Sequence, residues 1–594
     1  MYRRITGRSP QSLGSIQNRL RISAWRNRSV SLASFIVRGN HAALLPAGCF
    51  FLLCSSTLFG QAPDARITSG QSAEANQKPN ILMIVADDLG YSDLGCYGGE
   101  IDTPQLDRLA ENGMRLTRFY NTGRCCPSRV SILTGQYPHR VGVGHKVEDL
   151  GLPGYRGRVS DEALTIAQVL KTAGYRSFIS GKWHLGTPDP CDHGFDEFYG
   201  TLVSAQTFWD PDHYVRTPAG RKKISYAPGE FYGTDAVTDH AIEFLSQART
   251  TPDQPWFLYL AYHAPHFPLQ APAESIAKYA DTYHVGWDAI RERRLSRMKQ
   301  LGIVPTSTKL TPRSRYWDFG EYETGINPAW MDVPAERRMD SARRMAIYAA
   351  MIDRIDQNVG RVIEDLRFAD EFSNTLVIFM SDNGACAEWD PYGFDISSSN
   401  QNILHRGPQI ETMGGPGTFH SAGSAWANAS NTPWRLQKHY NHEGGIASPC
   451  IIHWPGGRIR RGAIEDQPAH IIDLMPTMVQ LTGARYTSKL DLVGESLLPL
   501  MHAESHVART LYFEHEGNRA VHDGKWKLVA LKDQPWELYD VELDRTELND
   551  LAREHPGQVK RLAAMWDQWA EANQVTPLPT DYGVEYLGRP SQYP

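Results

Sequence analysis

Acidic residues are missing from the first 63 positions of this 594-residue chain, although the same positions contain eight arginines. An apolar stretch follows the basic region over residues 42–59, and small residues come next. This order is typical of a secretory signal peptide. We therefore predict a signal peptide over residues 1–62, a linker over residues 63–78, and export to the periplasm or the extracellular space. A membrane anchor is the alternative, but a proline and a glycine interrupt the short apolar core.

The chain also lacks an excess of positive charge and any apolar run of the ~18 residues that a membrane-spanning helix requires. Eight of the 61 basic residues and none of the 67 acidic residues lie in the predicted signal peptide, so the remainder carries about −14. Nucleic-acid binding depends on a basic surface that neutralises phosphates. We therefore expect no nucleic-acid partner, and no membrane span after processing.

Cysteine is scarce, with eight residues in the whole chain and two of them in the predicted signal peptide. The other six are too few for a disulfide scaffold, and no Cys-x-x-Cys pair indicates a zinc site. Cys125 and Cys126 are neighbours, and a disulfide between them would be strained. The adjacent pair therefore needs another explanation, and the pairing of the remaining cysteines stays open.

Four short apolar runs have the pattern of strands that are buried on both faces. They cover residues 81–85, 178–180, 256–260 and 375–380. Periodicity and capping residues predict helices between them, over residues 103–113, 161–172 and 340–367. This alternation predicts an α/β fold with a mostly parallel central sheet sandwiched by helices, which we assign to a catalytic domain over residues 79–485.

The tail has a different pattern. An Asp-Gly pair at 523–524 separates two strand-like segments, a further strand follows near 536–539, and an amphipathic helix comes last. We therefore predict a C-terminal α+β subdomain over residues 486–594, with a small antiparallel sheet plus a helix. Before it, residues 384–433 are rich in Gly, Ser and Asn, which predicts a long loop that is functional or disordered.

Polar side chains follow each of the four predicted strands. They are Asp87 and Asp88, Lys182 and His184, His263 and His266, and Asp382 and Asn383. Any one pair could be a helix cap or a solvated turn. Because ligands of open α/β sheets bind beyond the carboxyl ends of the parallel strands, four such pairs together predict a functional site.

Three carboxylates and one amide in this set provide only oxygen donors. These residues are Asp87, Asp88, Asp382 and Asn383. Oxygen ligands suit Ca²⁺ or Mg²⁺, whereas Zn²⁺ prefers imidazole or thiolate. The alternative is that these side chains only form Asx turns at the ends of strands, without a metal.

A basic, cysteine-containing segment precedes another predicted helix. Pro127 suits the first helical turn, which places Cys125 just ahead of a helix N-terminus, where an anion is favoured. Arg129 would add positive charge one turn later. A thiol at this position is either an acidified nucleophile or a buried packing residue, and spacing does not decide between them.

Residues 125–129, together with Leu133-Thr134-Gly135, resemble the Cys-x-Pro-Ser-Arg…Leu-Thr-Gly signature of type I sulfatases. Further matching segments follow the order of that family: residues 86–90, 181–186 and 381–384, and Lys438 with residues 443–445. The chain from about residue 78 onwards is similar to bacterial arylsulfatases of the alkaline-phosphatase-like superfamily.

The resemblance implies that a formylglycine-generating maturation enzyme oxidises Cys125, but not Cys126, to Cα-formylglycine (3-oxoalanine). It also implies Ca²⁺, rather than Mg²⁺, held by the four oxygen donors and contacting residue 125. The implied reaction is hydrolysis of a sulfate monoester through the formylglycine hydrate and a covalent sulfated intermediate. Implied substrates are aryl sulfates in vitro and small-molecule or oligosaccharide sulfate esters, above all sulfated carbohydrates, in vivo.

The resemblance implies a role for each remaining side chain. Arg129 would fix the hydrate, and Lys182 would neutralise charge on the sulfate oxygens. His266 and Lys438 would donate a proton or hydrogen bond to the leaving alcohol, and His184 would take the proton whose removal releases sulfate.

These roles have alternatives. His184 could be a packed histidine, His263 could take the place of His266, and Lys438 could be a surface lysine. We also consider His515, which could reach the substrate from the tail.

Two rival functions remain. A phosphomonoester or phosphonate hydrolase could use the same formylglycine and metal site. A non-catalytic binding protein, in which Cys125 stays a thiol, is the rival from another class, but it would need no proton donors.

Overall fold

The structure is a computed structural model that describes residues 78–204, 207–317, 324–388, 390–396, 402–504 and 509–577. The predicted signal peptide, and all of the predicted linker except Lys78, lie outside the described residues. Among the helices that are described, none is both long enough and apolar enough to cross a membrane.

The described part of the chain contains sixteen strands. In chain order they are β1 (Asn80–Asp87), β2 (Met114–Tyr120), β3 (Arg176–Lys182), β4 (Glu197–Thr201), β5 (Val215–Thr217), β6 (Trp256–Pro265), β7 (Arg315–Trp317), β8 (Thr324–Ile326), β9 (Thr375–Ser381), β10 (Ala447–His453), β11 (Ala463–Glu465), β12 (Ala469–His470), β13 (Thr510–His515), β14 (Asn518–Asp523), β15 (Trp526–Ala530) and β16 (Glu537–Asp540).

A large central sheet has the order β11-β2-β10-β9-β1-β6-β3-β4-β5, and β12 also pairs with β2. Five consecutive strands of this order, from β9 to β4, run parallel to one another. In contrast, β10 pairs antiparallel with β9, and β5 pairs antiparallel with β4. The four predicted strands are β1, β3, β6 and β9, which are consecutive in the sheet. The predicted mostly parallel sheet is therefore confirmed.

Helices cover both faces of this sheet. In chain order they are α1 (Pro104–Asn112), α2 (Cys125–Thr134), α3 (Ile166–Lys171), α4 (Gly233–Ala248), α5 (Ala273–Ala277), α6 (Gly286–Leu301), α7 (Ala335–Phe368), α8 (Pro408–Thr412), α9 (Ser424–Ser430), α10 (Glu443–Ile446), α11 (Leu474–Thr482), α12 (Leu498–Met501) and α13 (Pro556–Ala572).

Two helix boundaries differ from the prediction. The predicted helix over 161–172 is only α3, because Thr165 caps it: the Thr165 hydroxyl accepts from the amide of Gln168, whose side chain accepts from the amide of Thr165. This capping box satisfies two backbone donors and starts the helix there. The predicted helix over 340–367 is the longer α7, which begins directly after Pro334.

Alternate residues of β1 enter two different hydrophobic clusters. Leu82 and Ile84 pack with residues of α1, α4 and α7, whereas Ile81 and Val85 pack with residues of α2, α3 and α11. All four side chains are fully buried. A strand covered on both faces needs a continuous apolar sequence, which explains the uninterrupted runs.

The tail forms the predicted small antiparallel sheet, with the order β13-β14-β15-β16. Leu562 of α13 packs with Val521, Leu528 and Leu538 of that sheet, so the terminal helix buries its apolar face there. The subdomain boundary at residue 486 stays a prediction. In the described parts of the loop over 384–433, α8 and α9 are short helices, and every residue of α9 is buried.

Candidate active site

The carboxyl ends of β1, β3 and β9 meet at one edge of the central sheet. Asp87 and Lys182 are the last residues of β1 and β3, and Asp382 directly follows β9. Their side chains are at most 1% exposed. Adjacent parallel strands thus bring together three residues that are far apart in the chain, as the sequence pattern predicts.

An arginine from α2 joins this edge. Arg129 donates from Nε to Oδ2 of Asp382 at 2.9 Å, and its Nη2 lies 2.8 Å from the same oxygen and 3.7 Å from Oδ1 of Asp87. Its Nη1 donates to the carbonyl oxygen of Lys182 at 3.1 Å. The α2 helix is therefore fixed to two strands by one fully buried guanidinium.

Two lysines face the carboxylates of the first strand. Lys182 Nζ lies 2.5 Å from Oδ2 of Asp87, and Lys438 Nζ lies 2.8 and 2.9 Å from the two carboxylate oxygens of Asp88. Both ammonium groups are buried. Lys438 is thus part of this cluster rather than a surface lysine.

Four oxygen donors suit a hard cation. Oxygen atoms of Asp87, Asp88 and Asp382 lie within 4.8 Å of one another, and Nδ2 of Asn383 donates to Oδ1 of Asp88 at 2.6 Å. Oδ1 of Asp87 and Oδ1 of Asn383 are buried and accept no hydrogen bond from any described residue. Unsatisfied buried oxygens beside a group of carboxylates are the donors that a Ca²⁺ or Mg²⁺ ion requires, so the residues fit a metal.

The pKa shifts of these carboxylates also favour a bound cation. Burial, followed by the charge of Asp87, raises the pKa of Asp382 well above its usual range, although Arg129 opposes this. Burial would also raise the pKa of Asp87, but the charges of Lys182, His266 and Arg129 together outweigh it and hold this pKa below its usual range. A divalent cation bound among the three carboxylates would therefore lower the pKa of Asp382 and stabilise its ionised form.

Cys125 is the first residue of α2, with Arg124 as the N-cap, rather than the residue ahead of the helix. Its side chain is 3% exposed. A hydrogen bond from Cys126 and the charges of Lys182 and other cations hold the pKa of the Cys125 thiol well below its usual range, despite burial. Burial instead raises the pKa of Cys126. The two neighbours are electrostatically distinct, and neither pairs with another described cysteine.

Backbone strain marks two of the predicted residues. Asp88 and His184 have φ values of 65° and 58°, in the left-handed region that non-glycine residues rarely adopt. Such strain persists where the surrounding structure enforces it, which is common at functional sites. A third position, Gly181, requires glycine because a Cβ there would lie 1.8 Å from the carbonyl oxygen of Ala261 on the neighbouring strand.

The histidines occupy different positions. Burial, aided by the charge of Lys182, lowers the pKa of His184 to about 4, so its ring is neutral at pH 7. His266 places Nε2 3.5 Å from Oδ2 of Asp88. His263 instead lies 2.5 Å from the hydroxyl of Thr201. Of these two histidines, His266 is the one that lies within ion-pair distance of a carboxylate of the site.

The loop that carries Lys438 is held by the C-terminal sheet. Lys527 Nζ and Arg545 Nε lie 2.8 and 2.6 Å from the carboxylate oxygens of Glu443, which is fully buried in α10. Asn441 donates to the carbonyl oxygen of Asn518 at 2.7 Å. The tail therefore fixes the segment on which one of the site lysines lies.

The structure also shows residues that sequence reasoning missed. Arg124, Glu388, His439 and Glu516 form a cluster beside Cys125 and Lys438. Adjacency to Cys125 and Lys438 could have indicated Arg124 and His439, whereas Glu388 and Glu516 carry no sequence signal. His515, considered above, is fully buried beside Glu516.

Comparisons with known proteins identify the family. The sulfatase family model matches residues 79–484, and a model described as N-sulphoglucosamine sulphohydrolase, C-terminal, matches residues 434–574. An uncharacterized sulfatase of Schizosaccharomyces pombe is 32% identical over 558 residues, covering 86% of this chain and 97% of that protein. An arylsulfatase of Klebsiella aerogenes is 32% identical over 434 residues, covering 70% of this chain and 89% of that protein.

A solved structure agrees with these matches. Ps i-CgsB, in complex with k-i-k-neocarrahexaose, has a TM-score of 0.61 and 25% identity, covering 86% of this chain and 96% of that one. One family model spans well over half of the chain, and the S. pombe relative is similar over almost its whole length. The chain is therefore an enzyme of the sulfatase family.

Proposed function

We propose that this enzyme hydrolyses sulfate monoesters of carbohydrates at the site around Cys125, with that residue matured to Cα-formylglycine by a formylglycine-generating enzyme. One observation carries the proposal: three buried cationic side chains converge with the N-terminus of α2 on a set of buried oxygen donors. These cations are Arg129, Lys182 and Lys438. A sulfate monoester is an anion, and such a site spreads positive charge around it.

The metal in this proposal is Ca²⁺, held by Asp87, Asp88, Asp382 and Asn383. When bound, Ca²⁺ would polarise the sulfate, and the formylglycine hydrate at residue 125 would supply the hydroxyl nucleophile and a second hydroxyl for turnover.

The cations bind and orient the ester. Lys182 and Lys438 supply ammonium groups to the sulfate oxygens, and the first amides of α2 add the positive end of a helix dipole. Arg129 holds α2 beside Asp382 through one hydrogen bond from Nε and an ion-pair contact from Nη2. Because all of these groups are fixed by buried ion pairs, little reorganisation is needed when the ester binds.

Two histidines move protons. His184 is neutral at pH 7, since its pKa is about 4, and it therefore accepts the proton that is lost on release of sulfate. His266 Nδ1 lies 2.6 Å from the carbonyl oxygen of Phe267, so Nδ1 carries a proton that it donates to that carbonyl. Its Nε2 faces Oδ2 of Asp88 at 3.5 Å, and we assign to this nitrogen the donation of a proton or hydrogen bond to the leaving oxygen.

The substrate class is part of the proposal. The similar protein Ps i-CgsB was solved with k-i-k-neocarrahexaose, which supports a carbohydrate ester for this chain. Aryl sulfates would serve as substrates in vitro. We further propose that residues 1–62 direct export, and that residues 79–485 and 486–594 form the catalytic domain and the C-terminal subdomain.

The test compares kcat/KM for p-nitrophenyl sulfate and p-nitrophenyl phosphate, using protein produced together with the maturation enzyme. We expect sulfate to be preferred, and a mass spectrum of the peptide over residues 122–140 to show loss of the Cys125 sulfur. A preference for phosphate would indicate the phosphomonoesterase alternative. A fully active protein whose residue 125 still reacts with iodoacetamide would contradict the formylglycine assignment.

A further inference from the structure

A second group of charged side chains lies beside the proposed reaction site. We call it the Arg124 cluster, and it consists of Arg124, Glu388, His439 and Glu516. Arg124 Nη1 lies 2.7 Å from both ring nitrogens of His439 and 3.7 Å from Oε1 of Glu516, and its Nη2 lies 3.8 Å from Oε1 of Glu388. His439 Nδ1 lies 3.0 Å from Oε2 of Glu516.

The backbone connects this cluster to the reaction site. Arg124 precedes Cys125, and His439 follows Lys438. The amide of His439 donates to the carbonyl oxygen of Gly123 at 2.9 Å, and the amide of Lys438 donates to that of Ala385 at 3.2 Å. The segments that carry the cluster are therefore the same segments that carry the proposed nucleophile and one of the sulfate-binding lysines.

One member comes from the C-terminal sheet. Glu516 lies in the turn between β13 and β14, and the side chain of Asn518 in β14 donates to the carbonyl oxygen of His439 at 3.2 Å. His145 Nδ1 lies 3.1 Å from Oε1 of Glu516, and the rings of His145 and His515 stack with centroids 5.8 Å apart. His515 thus packs behind the turn that carries Glu516.

The cluster is nearly buried but not closed. The side chains of Arg124, Glu388, Glu516 and His439 are 9%, 8%, 10% and 7% exposed. The exposed area of these four side chains is too small for a solvated charge patch. It would still allow contact with a ligand whose sulfate occupies the adjacent reaction site. Only the alcohol part of the ester is attached to that sulfate, so the alcohol would contact the cluster.

The chemistry of the cluster identifies that alcohol. Charged acceptors on Glu388 and Glu516 alternate with donors on Arg124 and His439 within 4 Å. Neighbouring hydroxyls of a sugar both donate and accept, and they match such a pattern. An aryl ring could neither donate to the two carboxylates nor accept from Arg124, and sites built to bind a hydroxyl discriminate strongly against ligands that lack it.

We propose that Glu388 and Glu516, held in place by Arg124 and His439, bind the leaving alcohol and select a sugar with adjacent free hydroxyls over an aryl group. This inference rests on the proposed function and adds to it the residues that determine specificity. Binding requires no covalent step beyond the hydrolysis already described.

The experiment uses the matured full chain and two kinds of substrate, p-nitrophenyl sulfate and a panel of monosulfated hexoses. Glu516→Gln and Glu388→Gln each replace a charged acceptor by a neutral one of equal size. We expect kcat/KM for the best hexose sulfate to fall by about 10- to 100-fold in each variant, because one hydrogen bond to a charged group is lost. For p-nitrophenyl sulfate the loss should be much smaller, so the ratio of the two values changes.

Glu554→Gln is the matched control, since Glu554 is an exposed glutamate of the same C-terminal region, and it should leave both values unchanged. Residual turnover of the aryl ester reports that each variant is folded. Equal losses on both substrates, no loss on either, or a wild-type enzyme that cleaves only the aryl ester would overturn the subsite. A wild-type enzyme that cleaves no sulfate ester at all would instead overturn the proposed function.

Discussion

Arg129 in α2 and Asp382 after β9 form an ion pair in which neither side chain has any exposed surface. Two nitrogens of the guanidinium contact a single carboxylate oxygen, at 2.8 and 2.9 Å. The pair joins residues 253 positions apart in the chain, and it links a helix N-terminus to the central sheet. Removal of Arg129 would leave the buried carboxylate of Asp382 without this partner, next to the carboxylate of Asp87.

Arg129→Ala should lower the free energy of unfolding by about 3–5 kcal/mol, the usual cost of breaking one side of a buried ion pair. Urea unfolding at pH 7 measures this loss. Arg553→Ala removes an exposed arginine and should change stability by less than about 0.5 kcal/mol. A loss below about 1 kcal/mol for Arg129→Ala would mean that the pair contributes little to stability.

Cys125→Ala should abolish sulfate ester hydrolysis while the fold persists, because the proposed nucleophile is lost and the change is small. Cys126→Ala should retain substantial activity, since its thiol is buried and its pKa is raised. Turnover of p-nitrophenyl sulfate and circular dichroism of both variants test this contrast. Equal loss of activity in the two variants would show that the nucleophile is misplaced.

Addition of Ca²⁺ to chelator-treated protein should raise both Tm and activity. Binding to the folded state alone stabilises it, by about 2.7 kcal/mol when free Ca²⁺ is 100 times its Kd. Asp88→Asn should reduce this shift in Tm, and the exposed Asp567→Asn should preserve it. An unchanged Tm on addition of Ca²⁺ to the wild-type protein would argue against a calcium site.

Stability should fall in mild acid because of buried neutral histidines, of which His240 is the best defined. Its Nε2 accepts from the amide of Ile224 at 3.1 Å, its Nδ1 lies 2.9 Å from the carbonyl oxygen of Ala236, and burial lowers its pKa to about 4. Between pH 6.5 and pH 4 the unfolded chain binds more protons at this position than the folded protein does. The stability due to this difference is therefore lost as pH falls through that window.

For a histidine whose pKa is about 4 in the folded protein and about 6.5 in the unfolded chain, the free energy of unfolding is lower at pH 5 than at pH 7 by about 2 kcal/mol. His240→Gln should remove that part of the pH dependence, which urea unfolding at pH 7 and pH 5 measures. His213→Gln, at an exposed histidine, should leave the dependence as it is. An identical pH dependence in His240→Gln would show that His240 is not the source.

Much of the fold was predictable because strands buried on both faces need continuous apolar runs. Each of the four runs became a strand, and their order in the sheet placed Asp87, Lys182 and Asp382 at one edge. The predicted start of α3 was wrong, since the capping box at Thr165 overrides the apolar periodicity of the preceding residues.

The site was predictable only where the chain itself places residues at strand ends or in motifs. Glu388 follows β9 in a loop without periodicity, and Glu516 lies more than a hundred residues away in the tail. Their approach to Arg124 depends on how the C-terminal sheet contacts the segment around His439. Such contacts between distant segments leave no local pattern in the sequence.

The attachment of Glu443 to Lys527 and Arg545 also has a consequence for the order of events during synthesis. The ribosome releases the tail last, so the segment bearing Lys438 lacks its anchor until nearly the entire chain has emerged. Until Lys527 and Arg545 have emerged, neither of the two cations that neutralise Glu443 is present. The segment bearing Lys438 therefore acquires this anchor only in the last stage of folding, and a chain cut short before residue 527 would lack it.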